Sequence, residues 1–276
     1  MRSERFHGWS RPGPLPPGGL EAGPGETLDY LCGHWQIFQL QKGQRNSVDD
    51  QLAAWWGTRW CPHPARIADL GSGIGSVALM AAWKCPGAIL HTVEAQPVSH
   101  ALAQKSCRYN GLEERCFVHL GDLREAAILE PHGRFDLVLG TPPYWPLGSK
   151  VPAESPQAVS ARLEIRGGLE DYALAAARLL APGGLFACVF PKDQRVRALE
   201  AFRSASLALL QVLTVQFKEG EPYGLLLLAG SRTQDVPPSL HSEPLELPVH
   251  TVRDREGRFT REHSHLRLSM GFPPGK

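Results

Sequence analysis

The most specific chemistry in the chain lies in Thr141-Pro142-Pro143-Tyr144, with Trp145 directly after it. Pro-Pro disfavours helix at the residue before it and offers no amide donor to a sheet, so the apolar run Phe135–Gly140 must end there as a strand. A backbone carbonyl turned outward by the prolines, together with the Thr141 side chain, offers two acceptors to the N–H groups of an incoming nitrogen. Tyr144 and Trp145 offer faces on which a planar group can stack. An amide or aniline-like nitrogen has a delocalised lone pair and is a poor nucleophile. Acceptors that favour its tetrahedral geometry, and a ring that holds it in place, suit an in-line displacement at such an atom.

A second group is Asp69-x-Gly71-x-Gly73-x-Gly75, followed by Glu94 and Asp122. A dinucleotide turn needs an apolar strand end and a third glycine three positions after the second; here Asp69 precedes Leu70, and Ser76 stands where that glycine belongs. An acid at that place repels pyrophosphate and holds a cationic ligand end. The pattern therefore suits S-adenosylmethionine: its ammonium faces Asp69, the glycines admit the nucleoside, Glu94 accepts the ribose hydroxyls and Asp122 meets the adenine. Singly, Asp69 also fits a turn cap, Glu94 a solvent-facing strand end and Asp122 a helix N-cap. Their joint position favours the cofactor, and the expected chemistry is methyl transfer to a planar nitrogen.

These residues need a scaffold that brings them together. Strand-like runs are expected at Arg66–Leu70, Ala88–Val93, Cys116–Leu120, Phe135–Gly140 and Leu185–Phe190. Helical patterns fall between them, at Ser76–Lys84, Val98–Asn110 and Gly168–Leu180, and a further helix follows at Gln194–Ser204. Leu207–Phe217 and Tyr223–Ala229 flank KEGEP as a hairpin. Alternating strands and helices predict an α/β, doubly wound, Rossmann-like sheet of seven strands, mostly parallel, with an antiparallel C-terminal hairpin strand. In such a sheet ligands bind beyond the carboxyl ends of the strands, which gathers the glycine turn, Glu94 and the proline elbow. The expected organisation is a disordered Pro/Gly-rich leader (1–27), an N-terminal extension on the cofactor side (28–60), the core (61–230) and an extended C-terminal strap (231–276).

Composition narrows the class. Of 276 residues, 42% are hydrophobic and 21% charged, as in a globular domain, and the net charge of +1 leaves any nucleic-acid partner to local basic patches. The six cysteines are scattered without Cys-x-x-Cys, and no histidines stand at ligand spacing, so no metal and a reducing compartment are expected. No run approaches membrane-spanning length, so no membrane partner is expected. The expected location is the cytoplasm, with Arg2, Arg5 and Arg11 leaving organellar targeting as the alternative. Basic stretches occur at Lys42 and Arg45, at Lys192, Arg195, Arg197 and Arg203, and at Arg253, Arg255, Arg258, Arg261 and Arg267 with His263 and His265. They read as solvated faces or, if convergent, as a grip on RNA phosphates around a flipped base, with Trp145 and Phe259 as stacking candidates and core or loop packing the preferred reading of Phe259.

DLGSGIG, VEAQ, GDL and TPPYW, in that order, resemble the class I methyltransferases with an Asn/Asp-Pro-Pro-Tyr/Phe motif. QLQKGQRNSVDDQLAAW, ARLEIRGGLEDYALAAARLLAPGGLFACVFP and REGRFTREHSHL are further similar to bacterial tRNA(Val) adenine-N6 methyltransferases. The resemblance spans Trp35 to Leu268. It implies S-adenosyl-L-methionine as cofactor and an adenine N6 amine in RNA, in particular tRNA, as acceptor, with the protein a monomer or weak dimer. It also implies a cofactor-side segment containing Gln39, Gly43, Arg45, Ser47 and Asp49, with Arg45 holding a carboxylate or phosphate. Thr141, Pro142, Pro143 and Tyr144 inherit the catalytic motif, with Thr141 in place of the family's Asn or Asp. That departure keeps other acceptors open: an rRNA or DNA base, a protein glutamine, a small planar amine, or a non-catalytic homologue that binds cofactor and RNA. Release-factor glutamine methyltransferases share the elbow but carry a helical N-terminal domain, for which residues 1–60 are too short and Pro/Gly-rich.

Overall fold

The computed structural model describes residues 8–149, 155–241 and 243–275. Among them β1 (Glu26–Cys32) and β2 (Trp35–Leu40) form a hairpin, and α1 (Val48–Trp60) follows. Then come β3 (Arg66–Leu70), α2 (Ser76–Lys84), β4 (Ile89–Glu94), α3 (Pro97–Tyr109), β5 (Cys116–Leu120), α4 (Ala126–Leu129) and β6 (Phe135–Gly140). The chain continues with α5 (Pro156–Arg162), α6 (Leu169–Leu179), β7 (Leu180–Pro191), α7 (Arg195–Ser204), β8 (Leu207–Lys218), β9 (Gly224–Arg232), β10 (Leu245–Arg253) and α8 (Arg261–Ser269).

β10, β8, β9, β7, β6, β3, β4 and β5 lie side by side in one sheet, and β9 alone runs antiparallel to its neighbours. Strand order reverses between β3 and β6, the place where such a sheet opens a crevice. Alternation along the strands feeds two apolar layers. Ile67, Leu137 and Leu139 join the layer with α1 and α2, whereas Ala68, Leu70 and Val138 join the layer with α6 and α7. Gly57 lets α1 lie close on the sheet, because a Cβ there would come within 2.3 Å of Leu139.

Two expectations are corrected. The sheet has eight strands, not seven, because Leu245–Arg253 in the predicted strap adds a parallel edge strand on β8. The register breaks between Leu247 and His250, so Pro248, which has no N–H, falls where no ladder bond is required. Residues 8–25 of the predicted disordered leader are also held in place. The Gly18 N–H donates to the Tyr109 carbonyl (3.1 Å), and Arg11 donates to the Gly33 carbonyl (3.2 Å) while covering the Tyr30 ring. The prolines lose little chain entropy on ordering, which partly offsets the larger loss at the glycines among them. The targeting expectation for Arg2 and Arg5 lies outside the described residues.

Candidate active site

A cavity of about 430 Å³ opens at the carboxyl ends of β3, β4 and β6, within the ~300–1,000 Å³ usual for small-molecule sites. Its floor is the β3–α2 turn. Gly71 and Gly73 adopt φ of +59° and +54°, in the left-handed region that glycine enters without strain. A Cβ at Gly71 would also lie 1.9 Å from the Tyr172 hydroxyl oxygen, whereas Gly73 has open space where a Cβ would stand. Glu94 closes the turn from β4: one carboxylate oxygen accepts the Gly73 N–H (2.8 Å) and the other the Gln96 N–H (2.7 Å). Burial raises the Glu94 pKa, opposed by those two bonds and by the nearby Arg166.

The proline elbow forms the facing wall. Thr141, Pro142, Pro143, Tyr144 and Trp145 all line the same cavity as Gly71, Gly73, Glu94 and Asp122. No residue among those described bonds to the Thr141 hydroxyl, which stays available on the wall. Tyr144 is fixed at both ends. Its hydroxyl donates to Asp49 Oδ2 (2.7 Å) and its carbonyl accepts from Gln194 Nε2 (2.9 Å), while its ring meets Phe190 edge-on. Asp49 and its neighbour Asp50 stand in the first turn of α1. Asp50 accepts from the Ser76 hydroxyl (2.8 Å) and the Ser47 N–H (3.0 Å), which joins α1 to the N-terminus of α2. Both carboxylates line the cavity, yet the surrounding protein pushes Asp49 up and Asp50 up to about 6.

Arg45, Ser47 and Asp122 also reach the cavity wall. Arg45 spends much of its donor capacity inside the protein, on Asp29 (2.7 Å), Thr27 (3.1 Å) and the Leu40 carbonyl (3.0 Å). Asp122 is clasped by Arg124 through both carboxylate oxygens, which lowers its pKa.

Asp69, expected to face a cationic ligand end, does not line the cavity and is 1% exposed. The alternation of β3 turns it toward α1 and α2, where burial and then the neighbouring Asp50 push its pKa well above the usual carboxylate range. Gly75 is likewise off the wall. It caps α2 in a left-handed conformation (φ +86°) against Ala103. Gln39 and Gly43 act as scaffold: Gln39 accepts the Asn46 N–H (2.7 Å), and a Cβ at Gly43 would come within 2.4 Å of Gln157.

Sequence reasoning missed the roof. α5 and the turn after it bring Ser160, Arg162, Leu163 and Arg166 over the cavity. Buried Gln157 accepts the Gln44 N–H (2.7 Å) and donates to Ser99 (3.0 Å), tying roof to extension and α3. Trp145 and Leu163 form a bridge, with Trp145 N–H donating to the Arg162 carbonyl (3.2 Å) and Glu164 N–H to the Trp145 carbonyl (2.9 Å). Arg197 anchors the roof through Glu164 (2.6 Å) and Glu170 (2.7 Å). The missed Asp50 had a signal in Ser47-x-x-Asp50, which reads as a capping box; Gln157 and Arg166 had none.

Several residues of the basic stretches pair with acids of the fold. Arg195 pairs with Glu246, Arg203 with Glu200, Arg255 with Glu219 and Arg258 with Asp254. Arg253 and Arg267 lie over Phe259, which fixes that ring inside the C-terminal packing. Among the described residues, no helix is long and apolar enough to cross a membrane.

The cavity's chemistry suits a nucleoside carrying polar ends. The wall has a carboxylate at Glu94, an open glycine at Gly73 and a Ser72 hydroxyl that is buried without a partner among the described residues.

Residues 59–161 match the family model described as the methyltransferase small domain. The tRNA1(Val) (adenine(37)-N6)-methyltransferase of Porphyromonas gingivalis strain W83 is 30% identical over 175 residues, which cover 61% of this chain and 68% of that one. The enzyme of the same name from Shewanella sp. MR-4 is 27% identical over 87% of this chain and 97% of its own. A release factor glutamine methyltransferase of Geobacter sulfurreducens is 32% identical, with 58% of each chain covered. Among solved structures, a predicted O-methyltransferase from Agrobacterium tumefaciens superposes with a TM-score of 0.57 at 16% identity, over 81% of this chain and 97% of that one; this likeness concerns the fold alone. The chain belongs to the class I S-adenosylmethionine-dependent methyltransferases that carry the methyltransferase small domain, as a relative of the tRNA1(Val) (adenine(37)-N6)-methyltransferases.

Proposed function

We propose that the protein methylates an exocyclic planar nitrogen, the N6 amine of an adenine in tRNA. The observation that carries this reading is the meeting of the Thr141–Tyr144 elbow with the glycine turn and Glu94 on one cavity. The names of the relatives from Porphyromonas gingivalis and Shewanella favour tRNA adenine as the acceptor.

Glu94, Gly71, Gly73, Ser72 and Asp122 are the residues that would hold S-adenosylmethionine, with Arg45, Ser47 and Asp50 on the side of the N-terminal extension. When bound, that cofactor supplies an electrophilic methyl carbon on a sulfonium. The chain's own part is to present the nitrogen. The Thr141 hydroxyl and an elbow carbonyl accept the two amine N–H groups, which turns the lone pair toward the donor side. A methyl group delivered to that nitrogen would leave it cationic with a surplus proton, which would pass to water, since the hydroxyl and the carbonyl only accept hydrogen bonds and cannot keep it. Tyr144, fixed between Asp49 and Gln194, holds the base in the plane, and half-exposed Trp145 extends the stacking surface to the rim.

Asp69, buried beside Asp50 and off the cavity wall, takes no direct part in this reading. The relative from Geobacter sulfurreducens, named for release-factor glutamine, supports a second reading in which an amide nitrogen takes the same position. Incubating the protein with methyl-labelled cofactor and tRNA, rRNA, DNA or release factor separates them. N6-methyladenosine in hydrolysed tRNA is the expected product. Label in release-factor glutamine, or none in any acceptor while cofactor still binds, overturns the proposal.

A further inference from the structure

At the β4–β5 edge of the sheet two histidines meet, three residues before the cavity residues Glu94 and Asp122 but not themselves on the cavity wall, and the turn Glu130–His132 adds a third. Candidate ligand nitrogens of His91, His119 and His132 all lie within 4.8 Å of one another. We propose that these three imidazoles form a binding site for one zinc ion, outside the methyl-transfer site and independent of it.

The nitrogens are within reach of one zinc ion, and the rings, which lie 8–33° from parallel, must tilt for their lone pairs to converge on it. His91 Nδ1 and His119 Nε2 are 3.1 Å apart. Two nitrogens at ~2.0–2.1 Å from a tetrahedral zinc stand about 3.3–3.4 Å apart. His132 lies across both rings, its centroid 4.5 Å from each. The contact between His91 and His119 is the one hydrogen bond that these three rings make among the described residues. A single proton serves that contact, and an ion can replace it.

Imidazole binds zinc through the lone pair of a neutral ring nitrogen, so uptake competes with protons and weakens as pH falls. His91 is buried, whereas His119 and His132 keep partial exposure, so an ion can enter and water can complete the coordination. Exposed Phe117 and buried Phe135 both pack against the His91 ring.

Arg66 opposes binding. Its guanidinium lies over Phe135 and bonds the His132 carbonyl, so its charge stands near the site. The described surroundings include no carboxylate hydrogen-bonded to the rings, so second-shell support is weaker than in a dedicated site. The role that follows is a clip fixing the turn Glu130–His132 to the edge strands, with an affinity that Arg66 restrains. The residues lie far apart in sequence, and the spacing gave no sign of them.

The test is equilibrium dialysis of the chelator-treated full chain against zinc, with cobalt(II) absorption as a second readout. One ion per chain is expected, with a cobalt spectrum free of thiolate charge transfer. His119→Gln and His132→Gln each weaken binding by at least about tenfold, as loss of even an outer-shell partner does. Arg66→Met tightens it. Circular dichroism of the metal-free variants shows that these half-exposed positions leave the fold intact. No ion retained by the unmodified chain, or equal binding in the His119→Gln/His132→Gln double variant, overturns the proposal; the second result would assign the ion to cysteines.

Discussion

Tyr144→Phe removes one oxygen and keeps the ring that is to carry the substrate. Asp49 loses the hydroxyl that donates to its Oδ2 at 2.7 Å, and that bond works against the burial which already raises its pKa. Hydrogen bonds to charged groups contribute about 1.5–3 kcal/mol, and neutral ones about 0.5–1.5 kcal/mol. A carboxyl whose pKa is raised on folding contributes its full stability below the unfolded value, about 3.9, and loses it as pH rises through the folded value. Without Tyr144 Oη the folded value rises further, so the variant's deficit grows with pH. The expected deficit is about 1.5–3 kcal/mol at pH 8 and about 0.5–1.5 kcal/mol near pH 4. Urea unfolding at both pH values measures it. Adding Asp49→Asn in the Tyr144→Phe background removes the unpaired charge and recovers part of the loss at pH 8. A deficit that is equal at both pH values and untouched by Asp49→Asn would refute the claim that this bond anchors the elbow.

Thr141→Asn, which places an amide carbonyl at the elbow, keeps or raises the rate of methyl transfer. Thr141→Val, which removes the acceptor at nearly constant shape, lowers kcat by about 10²–10³. Both are read by single-turnover kinetics with labelled cofactor. Tyr144→Ala abolishes transfer; unchanged activity would remove the stacking role. Glu94→Ala leaves the Gly73 and Gln96 N–H groups without their acceptor and removes a cavity carboxylate. The resulting loss of about 1–3 kcal/mol appears as roughly 5- to 150-fold weaker cofactor binding in calorimetry. Gly71→Ala strains a residue at φ +59° and drives its Cβ onto the Tyr172 hydroxyl. It lowers the melting temperature, and Tyr172→Phe relieves part of the loss by removing the oxygen that is struck.

Much of the fold was legible because its signals are local. The strand over Phe135–Gly140 stops at a Pro-Pro pair, α2 begins after three glycines, and β8 and β9 flank Glu219–Tyr223, within one residue of the expected KEGEP turn. The eighth strand escaped because Leu245–Arg253 is mostly exposed or half-buried, with Pro248 in its middle. Its pairing is decided by the free edge of β8 and leaves no apolar run in the sequence.

The site divides along the same line. Residues whose place follows from strand ends, namely Gly71, Gly73, Glu94, Asp122 and Thr141–Tyr144, share one cavity. Asp69 shows where that reasoning fails. The sequence gives its position at the end of β3 but not the face it takes, and one step of pleat separates a ligand contact from a buried acid. The roof fails for another reason. Gln157 reaches Gln44 across 113 positions and Ser99 across 58, so its role depends on three segments closing together. Asp49 is placed by the same kind of closure. Its partner Tyr144 lies 95 residues away, and only their meeting turns a first-turn acid of α1 into the support of the elbow's ring. Local pattern finds the residues that line the cavity, and long-range packing decides which of them are held rigid.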